Sequence, residues 1–250
     1  MKGIKTWIRL ALVGASLALA SCAPKEPFKV LKIGFTDYQP MYYLDEAQGK
    51  WVGFDAEFAR QVCDELGYQA EFVEIIWANK VRDLENGAID CIWNGMTVTE
   101  ELQEQILVSE PYMENRQVAV MPASAGATPP SVYTLERVSF EDGGVAEELL
   151  RAGELSSSAY RAEATQKAAL AAVLQGNSAA AVIDYTMARS LIGKGAYSSL
   201  AYYEIEGAPV EYYAVGFRKS DVELCEKVNA LILKYQSDGT FAKWENTYLR

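Results

Sequence analysis

The sequence predicts an α/β protein made of two lobes, and three observations support this fold class. Short apolar runs typical of strands alternate with segments of helical period along the chain. A stretch rich in proline and alanine, residues 122–130, interrupts the alternation near its middle and marks a loop close to a lobe boundary. The chain has 250 residues, which is enough for two lobes of about 100 residues each.

The first half of the chain contains four predicted strands and three predicted helices. The clearest helix spans 54–66, because apolar residues recur there at helical spacing and Gly67 can end the helix in a left-handed conformation. Another begins at Thr99, whose hydroxyl can cap a helix with an acidic first turn. The strands are Val30–Phe35, Ala70–Ile76, Ile89–Trp93 and Gln117–Met121, and the helices are Phe54–Leu66, Asn79–Glu85 and Thr99–Gln105.

The second half repeats the same alternation. Its predicted strands are Arg137–Phe140, Ala179–Ile183, Tyr202–Ile205 and Tyr212–Phe217. Its predicted helices begin near Val145 and span Ala162–Leu174, Thr186–Ile192, Val222–Tyr235 and Phe241–Tyr248. Two α/β lobes leave a cleft between them, and the C-terminal ends of their strands present ligand-binding groups there.

Composition excludes several classes of function. The chain has no histidine, so Ser-His-Asp triads, Cys-His pairs and histidine-based zinc sites are excluded. Its 34 acidic and 23 basic residues give a net charge of −11, which argues against binding to nucleic acid. We therefore expect no cofactor, no metal and no nucleic-acid partner.

The N-terminus has the features of an export signal. Three basic residues precede the uncharged run 10–20, which is too short to span a bilayer stably. The sequence Leu-Ala-Ser-Cys at 19–22 resembles the bacterial lipobox, which implies cleavage after residue 21, a lipid on Cys22 and a membrane anchor. Removal of 1–21 leaves 229 residues with net charge −14, and 22–27 is a tether. The alternative is an ordinary secretory signal with an incidental cysteine.

Three further cysteines, Cys63, Cys91 and Cys225, allow at most one disulfide. Their spacing contains no C-x-x-C pair, and without histidine a zinc site is not expected. We expect small buried apolar side chains at these positions. Whether Cys63 and Cys91 pair is left open by the sequence.

Six short stretches, taken in order, carry a family resemblance. They are Val-Gly-Phe-Asp at 52–55, Gly-Ala-Ile-Asp at 87–90, Trp-Asn-Gly-Met-Thr-Val-Thr at 93–99, Ser-Glu-Pro-Tyr at 109–112, Val-Gly-Phe-Arg-Lys at 215–219 and Asp-Gly-Thr at 238–240. With these motifs the chain resembles the family 3 solute-binding proteins of amino-acid ABC importers (polar amino acid group).

The resemblance implies a type II periplasmic-binding-protein-like fold with two lobes and two crossing hinge strands. Residues 28–118 and 212–250 are expected to form lobe 1, and residues 119–211 lobe 2. A small ligand is expected to close the cleft, and the closed protein, a monomer, to dock on a membrane permease.

Five candidate ligand-binding residues in lobe 1 follow from the resemblance. Tyr38 and Trp77 match aromatic positions of the cleft, and Asn94, Gly95 and Thr97 match the segment whose backbone and hydroxyl groups receive the ligand. A glycine lets a ligand approach the backbone, and a helix beginning there would offer N–H donors. The alternatives are a surface ring for Tyr38, core packing for Trp77, and turn or cap chemistry for the other three.

In lobe 2 the resemblance implies that Asp184, at the end of a predicted strand, binds the ligand's α-amino group. A carboxylate facing an ammonium in a desolvated cleft is a strong charge-assisted contact. The alternative is an Asp that caps the following helix. Glu141 is a second candidate ligand-binding acid.

Two departures from the family pattern concern the receptor for the ligand's carboxylate. Leu102 stands where relatives have an arginine, and Gly143-Gly144-Val145 lacks the usual hydroxyls, with Glu141 and Asp142 before it. The first hypothesis is a ligand that is cationic or lacks an ordinary α-carboxylate. The alternative is an ordinary amino acid, held by Arg116 or Arg161 or by backbone amides.

Two other functions remain as alternatives. A dehydratase for prephenate-like acids uses the same lobes, but it needs cationic clamps as well as a carboxylate acid. A sensor is the other alternative. Receptor ectodomains usually continue into a transmembrane helix, so the alternative here is a freestanding lipoprotein that presents its ligand to a receptor. The sequence favours a non-enzymatic binding protein.

Overall fold

The computed structural model describes residues 29–249, and its two main sheets are built from different parts of the chain. The strands of the first sheet are β1 (Lys29–Phe35), β4 (Tyr68–Glu74), β5 (Cys91–Thr97), β6 (Leu107–Val108), β7 (Met113–Asn115) and β13 (Glu211–Phe217). Their order is β4-β1-β5-β13-β6, with β7 paired to β13. Strands β4, β1 and β5 are parallel and β13 is antiparallel to β5.

The strands of the second sheet are β8 (Gln117–Pro122), β9 (Val138–Glu141), β10 (Tyr160–Glu163), β11 (Ala180–Asp184) and β12 (Leu200–Glu204). Their order is β10-β9-β11-β8-β12. Strands β10, β9 and β11 are parallel, and β8 is antiparallel to β11 and β12. Strands β2 (Tyr43–Asp45) and β3 (Lys50–Val52) form a separate hairpin.

The described residues contain eight α-helices, and their ends follow from local chemistry. Gly67 ends the first helix with φ 74°, and the Thr99 hydroxyl caps the third by accepting from Leu102 N at 3.1 Å. The helices are α1 (Phe54–Leu66), α2 (Lys80–Glu85), α3 (Glu100–Gln105), α4 (Ala146–Ala152), α5 (Gln166–Leu174), α6 (Tyr185–Leu191), α7 (Val222–Asp238) and α8 (Thr240–Tyr248).

Two chain segments connect the sheets, and they lie side by side. Strand β7 of the first sheet is followed after Arg116 by β8 of the second. The return segment enters β13 at Glu211, whose backbone pairs with Asn115. This arrangement is the expected α/β architecture with two crossing segments. The lobe boundaries at 118/119 and 211/212 stay a prediction.

The apolar core is extensive, and it includes the cysteines. Aromatic side chains dominate around the first sheet, with Phe58 in contact with Trp93 and Phe241 at ring-centroid distances of 4.6 and 4.9 Å. Cys63, Cys91 and Cys225 are buried free thiols, as expected for small apolar side chains. Between Lys29 and Leu249, no helix combines the length and the apolar composition needed to cross a bilayer.

Two predicted elements differ most in extent from the observed ones, and the short strands β2, β3, β6, β7 and β10 were not predicted. The strand expected to end at Trp93 continues to Thr97, because Thr97 pairs with Tyr213 of β13. No helix therefore begins at Asn94 or Gly95. The helix predicted from Ala162 begins at Gln166, after the cap Thr165, because the preceding residues pair with β9 as strand β10. The predicted signal peptide (1–21), Cys22 and the tether (22–27) lie outside the described residues.

Candidate functional site

A cavity of about 440 Å³ lies at the C-terminal ends of strands from both sheets. Strand β5 contributes from the first sheet, and β9 and β11 contribute from the second. All seven residues predicted to bind ligand line it: Tyr38, Trp77, Asn94, Gly95, Thr97, Glu141 and Asp184. The structure thus brings together residues that are distant in sequence.

The carboxylate of Asp184 accepts three side-chain hydrogen bonds at the cavity. Its Oδ1 accepts hydrogen bonds from Asn115 Nδ2 at 2.7 Å and Gln117 Nε2 at 2.6 Å. Its Oδ2 accepts from Gln166 Nε2 at 2.6 Å. The side chain makes no capping bond to α6, so the alternative role as a helix cap is not observed. Burial raises the pKa of Asp184, and the amide hydrogen bonds oppose that rise.

Glu211 is a second acid of the same network, and the sequence reasoning missed it. Its Oε2 accepts from the Asn115 and Gln117 amides, each at 3.0 Å, and from Thr97 Oγ1 at 3.1 Å. The two carboxylates therefore share two donors. Burial, and then the charge of Asp184, raise the pKa of Glu211 to about 7. Its position at the start of β13, beside the crossing segment, was the available signal.

Glu141 is a further buried acid, and unlike Glu211 it lines the cavity. It ends β9, and its burial followed by the charge of Asp184 raises its pKa to about 8. The charge of Lys80 opposes this rise. The cavity therefore presents carboxyl groups whose ionisation is disfavoured until a positive charge arrives.

Tyr38 lies in the interior and not on a surface loop. Its hydroxyl is 2.6 Å from the hydroxyl of Tyr213, and the ring packs against Gly95. Gly95 has φ 58°, and a Cβ there would lie 2.6 Å from Tyr38 Cε1. The Gly95 N–H donates to Asp55 Oδ2 at 2.7 Å, so this backbone donor is already engaged. Burial raises the pKa of Asp55 to about 7.

Asn94 and Thr97 line the cavity from strand β5 of the first sheet. Asn94 Nδ2 donates to Thr36 Oγ1 at 2.7 Å, and its buried Oδ1 has no hydrogen-bond partner among the described residues. Thr97 donates to Glu211. Strand pairing, and not helix-terminus geometry, positions both residues.

Trp77 and Leu102 form an apolar wall. Both are buried in one apolar cluster, and both line the cavity. Core packing and a cleft position therefore coincide at Trp77. The Lys80 Nζ lies 4.8 Å from the centroid of the Trp77 ring.

The two arginines considered as substitutes for Leu102 face elsewhere. Arg116 donates to both carboxylate oxygens of Glu204, at 2.6 and 2.7 Å. Arg161 is exposed on β10, and neither arginine lines the cavity. Lys80 does line the cavity. It was not predicted as a carboxylate-binding residue because it lies on α2, before the segment between Arg82 and Arg116 in which the family pattern places an arginine.

Several contacts join the two parts of the chain near the cavity. Lys80 Nζ donates to the carbonyl of Gly143 at 2.7 Å, and Lys167 Nζ pairs with Asp37 at 2.7 Å. Gly143 has φ 72° and packs on the backbone of Ala78, where an added Cβ would lie 2.6 Å from Ala78 Cα. These contacts join residues of the predicted lobe 1 to residues of the predicted lobe 2.

The chain is similar to known binding proteins over nearly its full length. It is 25% identical over 254 residues to the probable ABC transporter arginine-binding protein ArtJ of Chlamydia trachomatis, covering 99% of this chain and 98% of that protein. A crystal structure of an ABC uptake transporter substrate-binding protein from Streptococcus pneumoniae with bound histidine superposes with TM-score 0.81 at 27% identity. It covers 88% of this chain and 92% of that chain.

The similarity to an enzyme is partial. Cyclohexadienyl dehydratase of Pseudomonas aeruginosa is 30% identical over 110 residues, which is 44% of this chain and 40% of that protein. By contrast, residues 31–250 match the profile of the bacterial extracellular solute-binding proteins, family 3. With two α/β sheets, crossing segments and a cavity at the strand ends, this chain belongs to that family of extracellular binding proteins.

Proposed function

We propose that this protein is the substrate-binding component of an ABC importer and captures a small cationic molecule of the amino-acid class. The carrying observation is the set of buried carboxyl groups of Glu141 and Asp184 at the cavity, with Glu211 behind them. A ligand ammonium or guanidinium would supply the missing positive charge through charge-assisted hydrogen bonds.

The relatives support a ligand of this chemistry. The Chlamydia protein is named as arginine-binding, and the Streptococcus structure contains histidine. Both amino acids carry a basic side chain. Two buried acids that line one small cavity, with Glu211 behind them, suit a basic ligand better than a ligand with a neutral side chain.

The aromatic and polar residues complete the proposed site. The faces of Tyr38 and Trp77 would exclude water from the ligand and add cation–π attraction. The free Oδ1 of Asn94 is a further acceptor for a ligand N–H. Thr97 and Gly95 shape the cavity, and their polar groups orient Glu211 and Asp55.

Capture would proceed by hinge closure. The two crossing segments at Asn115 and Glu211 connect the proposed lobes, so rotation about them opens the cavity. The ligand bridges the lobes and shifts the equilibrium toward the closed form, in which Lys80 reaches Gly143. The permease is proposed to recognise that closed form of a monomer.

Calorimetric titration with L-arginine and L-lysine at pH 6 and pH 8 tests the proposed ligand class. L-Histidine is titrated at pH 6 only, where its side chain is largely cationic. Glu141 and Glu211 have raised pKa values, of about 8 and about 7, so both bind protons near pH 6. A cationic ligand favours their charged forms and releases protons, and binding that releases protons strengthens as pH rises. If only Glu211, with its pKa of about 7, releases its proton on binding, affinity is expected to rise about tenfold from pH 6 to pH 8.

The same titration in two buffers of different ionisation enthalpy measures the released protons directly. L-glutamine and L-glutamate are the matched ligands without a positive side chain. Tighter binding of either one than of all three basic amino acids, with no proton release, would contradict the proposed cationic ligand.

Membrane attachment through a lipid on Cys22 is part of the proposal. The basic start, the short apolar run and the Leu-Ala-Ser-Cys sequence support it. Wild-type protein is expected in the detergent phase after Triton X-114 partitioning of cells, and Cys22→Ser in the aqueous phase. Replacement of the buried Cys225 by Ser is the control, and recovery of wild-type protein in the aqueous phase would refute lipidation.

We infer binding without catalysis. Most of the relatives are binding proteins, and the similarity to the dehydratase covers less than half of this chain. The acids of the cavity are engaged by amides that hold their positions. A sensor lipoprotein that presents its ligand to a receptor is the second candidate function. Permease and ATPase genes next to the gene for this protein would favour the importer.

A further inference from the structure

The cavity contains a positive group that the proposed function does not explain. Among its lining residues only Lys80 and Arg151 are basic. Arg151 pairs with Glu147 at 2.7 Å one helical turn away and is largely exposed. Between residues 29 and 249, no carboxylate oxygen lies within 4.0 Å of the Lys80 ammonium. A half-buried ammonium without a carboxylate partner calls for an explanation.

The surroundings of Lys80 fix its ammonium at the cavity wall. Nζ donates one hydrogen bond, to the Gly143 carbonyl, and lies over the Trp77 ring. An ammonium has three N–H donors, so two remain for another acceptor. Burial lowers the pKa of Lys80, and the acidic charges around it oppose this change.

The local environment would strengthen an ion pair at this point. The buried Trp77 ring lies beside Nζ, and charges interact more strongly next to apolar surface than in bulk water. The cavity thus has a cation on the short helix α2 and carboxyl groups at the ends of β9 and β11. A ligand that carries both an ammonium and a carboxylate matches this distribution of charge.

We propose that Lys80 binds the carboxylate of the ligand and thereby selects amino acids over amines. The inference rests on the proposed function and deepens it, because it states whether the cationic ligand carries an α-carboxylate, as an amino acid does, or lacks one, as an amine does. It assigns to a lysine of α2 the anion-binding role for which Leu102, Arg116 and Arg161 are unsuited.

The test uses matched pairs that differ only in the α-carboxylate: L-arginine with agmatine, L-lysine with cadaverine, and L-histidine with histamine. Calorimetry is done on the full chain as wild type and as Lys80→Met, which keeps the side-chain length and removes the charge. Wild type is expected to bind its preferred amino acid at least about tenfold more tightly than the paired amine. In Lys80→Met this preference is lost, because the amino acid loses its carboxylate contact in addition to any loss of the Lys80–Gly143 contact that both ligands share.

Lys167→Met is the control, since Lys167 also joins the two parts of the chain but does not line the cavity. Its removal is expected to change both members of a pair by the same factor. The inference is overturned if Lys80→Met weakens amine and amino acid equally, or if wild type binds the amine as tightly as the amino acid. In both cases the cationic ligand of the proposed function survives. Failure of wild type to bind any of the six compounds would overturn both.

Discussion

Replacing Asp184 by Asn is expected to weaken binding of the cationic ligand by well over tenfold, which is about 1.4 kcal/mol or more. The neutral amide loses the ion pair with the ligand ammonium. It also places an NH2 group among three amide donors, from Asn115, Gln117 and Gln166, that now point at a carboxylate. One of these donors must then stay without an acceptor in a buried network.

The Asp142→Asn variant is the matched control for net charge. Asp142 is exposed and close to the cavity, so screening keeps its effect on the dissociation constant within about twofold. Thermal unfolding of the ligand-free variants shows whether each one folds. An Asp184→Asn protein that folds and binds with wild-type affinity would remove Asp184 from the site.

Replacing Gly143 by Ala is expected to prevent full closure and to reduce affinity by at least about tenfold. The added Cβ would lie 2.6 Å from the Cα of Ala78 and 3.1 Å from its nitrogen, and the backbone of a short 3-10 helix (Trp77–Asn79) has little freedom to move away. The contact exists only where the Gly143 loop meets that helix, so it penalises the closed form selectively. Left-handed backbone at an alanine adds about 1 kcal/mol of strain.

Gly176→Ala separates strain from closure. Gly176 has nearly the same φ, 73°, but nothing lies within 4 Å of its added Cβ. Both variants are expected to lose similar thermal stability without ligand, and only Gly143→Ala to lose affinity. Small-angle scattering should show ligand-induced compaction in wild type and Gly176→Ala. Full compaction of Gly143→Ala with ligand would contradict the role of this contact.

Local sequence patterns predicted most of the elements, because helix periodicity and end signals act over a few residues. Helix α1 has the predicted bounds, including Gly67 at its end. Errors occurred where partners distant in sequence decided the structure. Strand β5 continues to Thr97 only because β13, more than 100 residues later, pairs with it.

At the candidate site, the sequence predicted which residues line the cavity but not the hydrogen bonds that they make. Asp184 was predicted from the family resemblance together with its place after an apolar strand, and the structure puts it among the cavity-lining residues. Its three amide donors are Gln166 of α5 and the two residues Asn115 and Gln117 of one crossing segment, so no local sequence pattern predicts these hydrogen bonds. Glu211 was missed for the same reason.

The acidic balance and the absence of histidine are determined by the sequence alone, and so are the alternation of strands and helices and the family motifs. These follow from composition and short-range pattern, which need no tertiary contact. Only the tertiary structure decided which charges meet. In the folded chain Arg116 pairs with Glu204, and Lys80 donates to the Gly143 carbonyl at 2.7 Å. Helix packing and strand pairing decide these contacts, because they set which distant side chains lie close together.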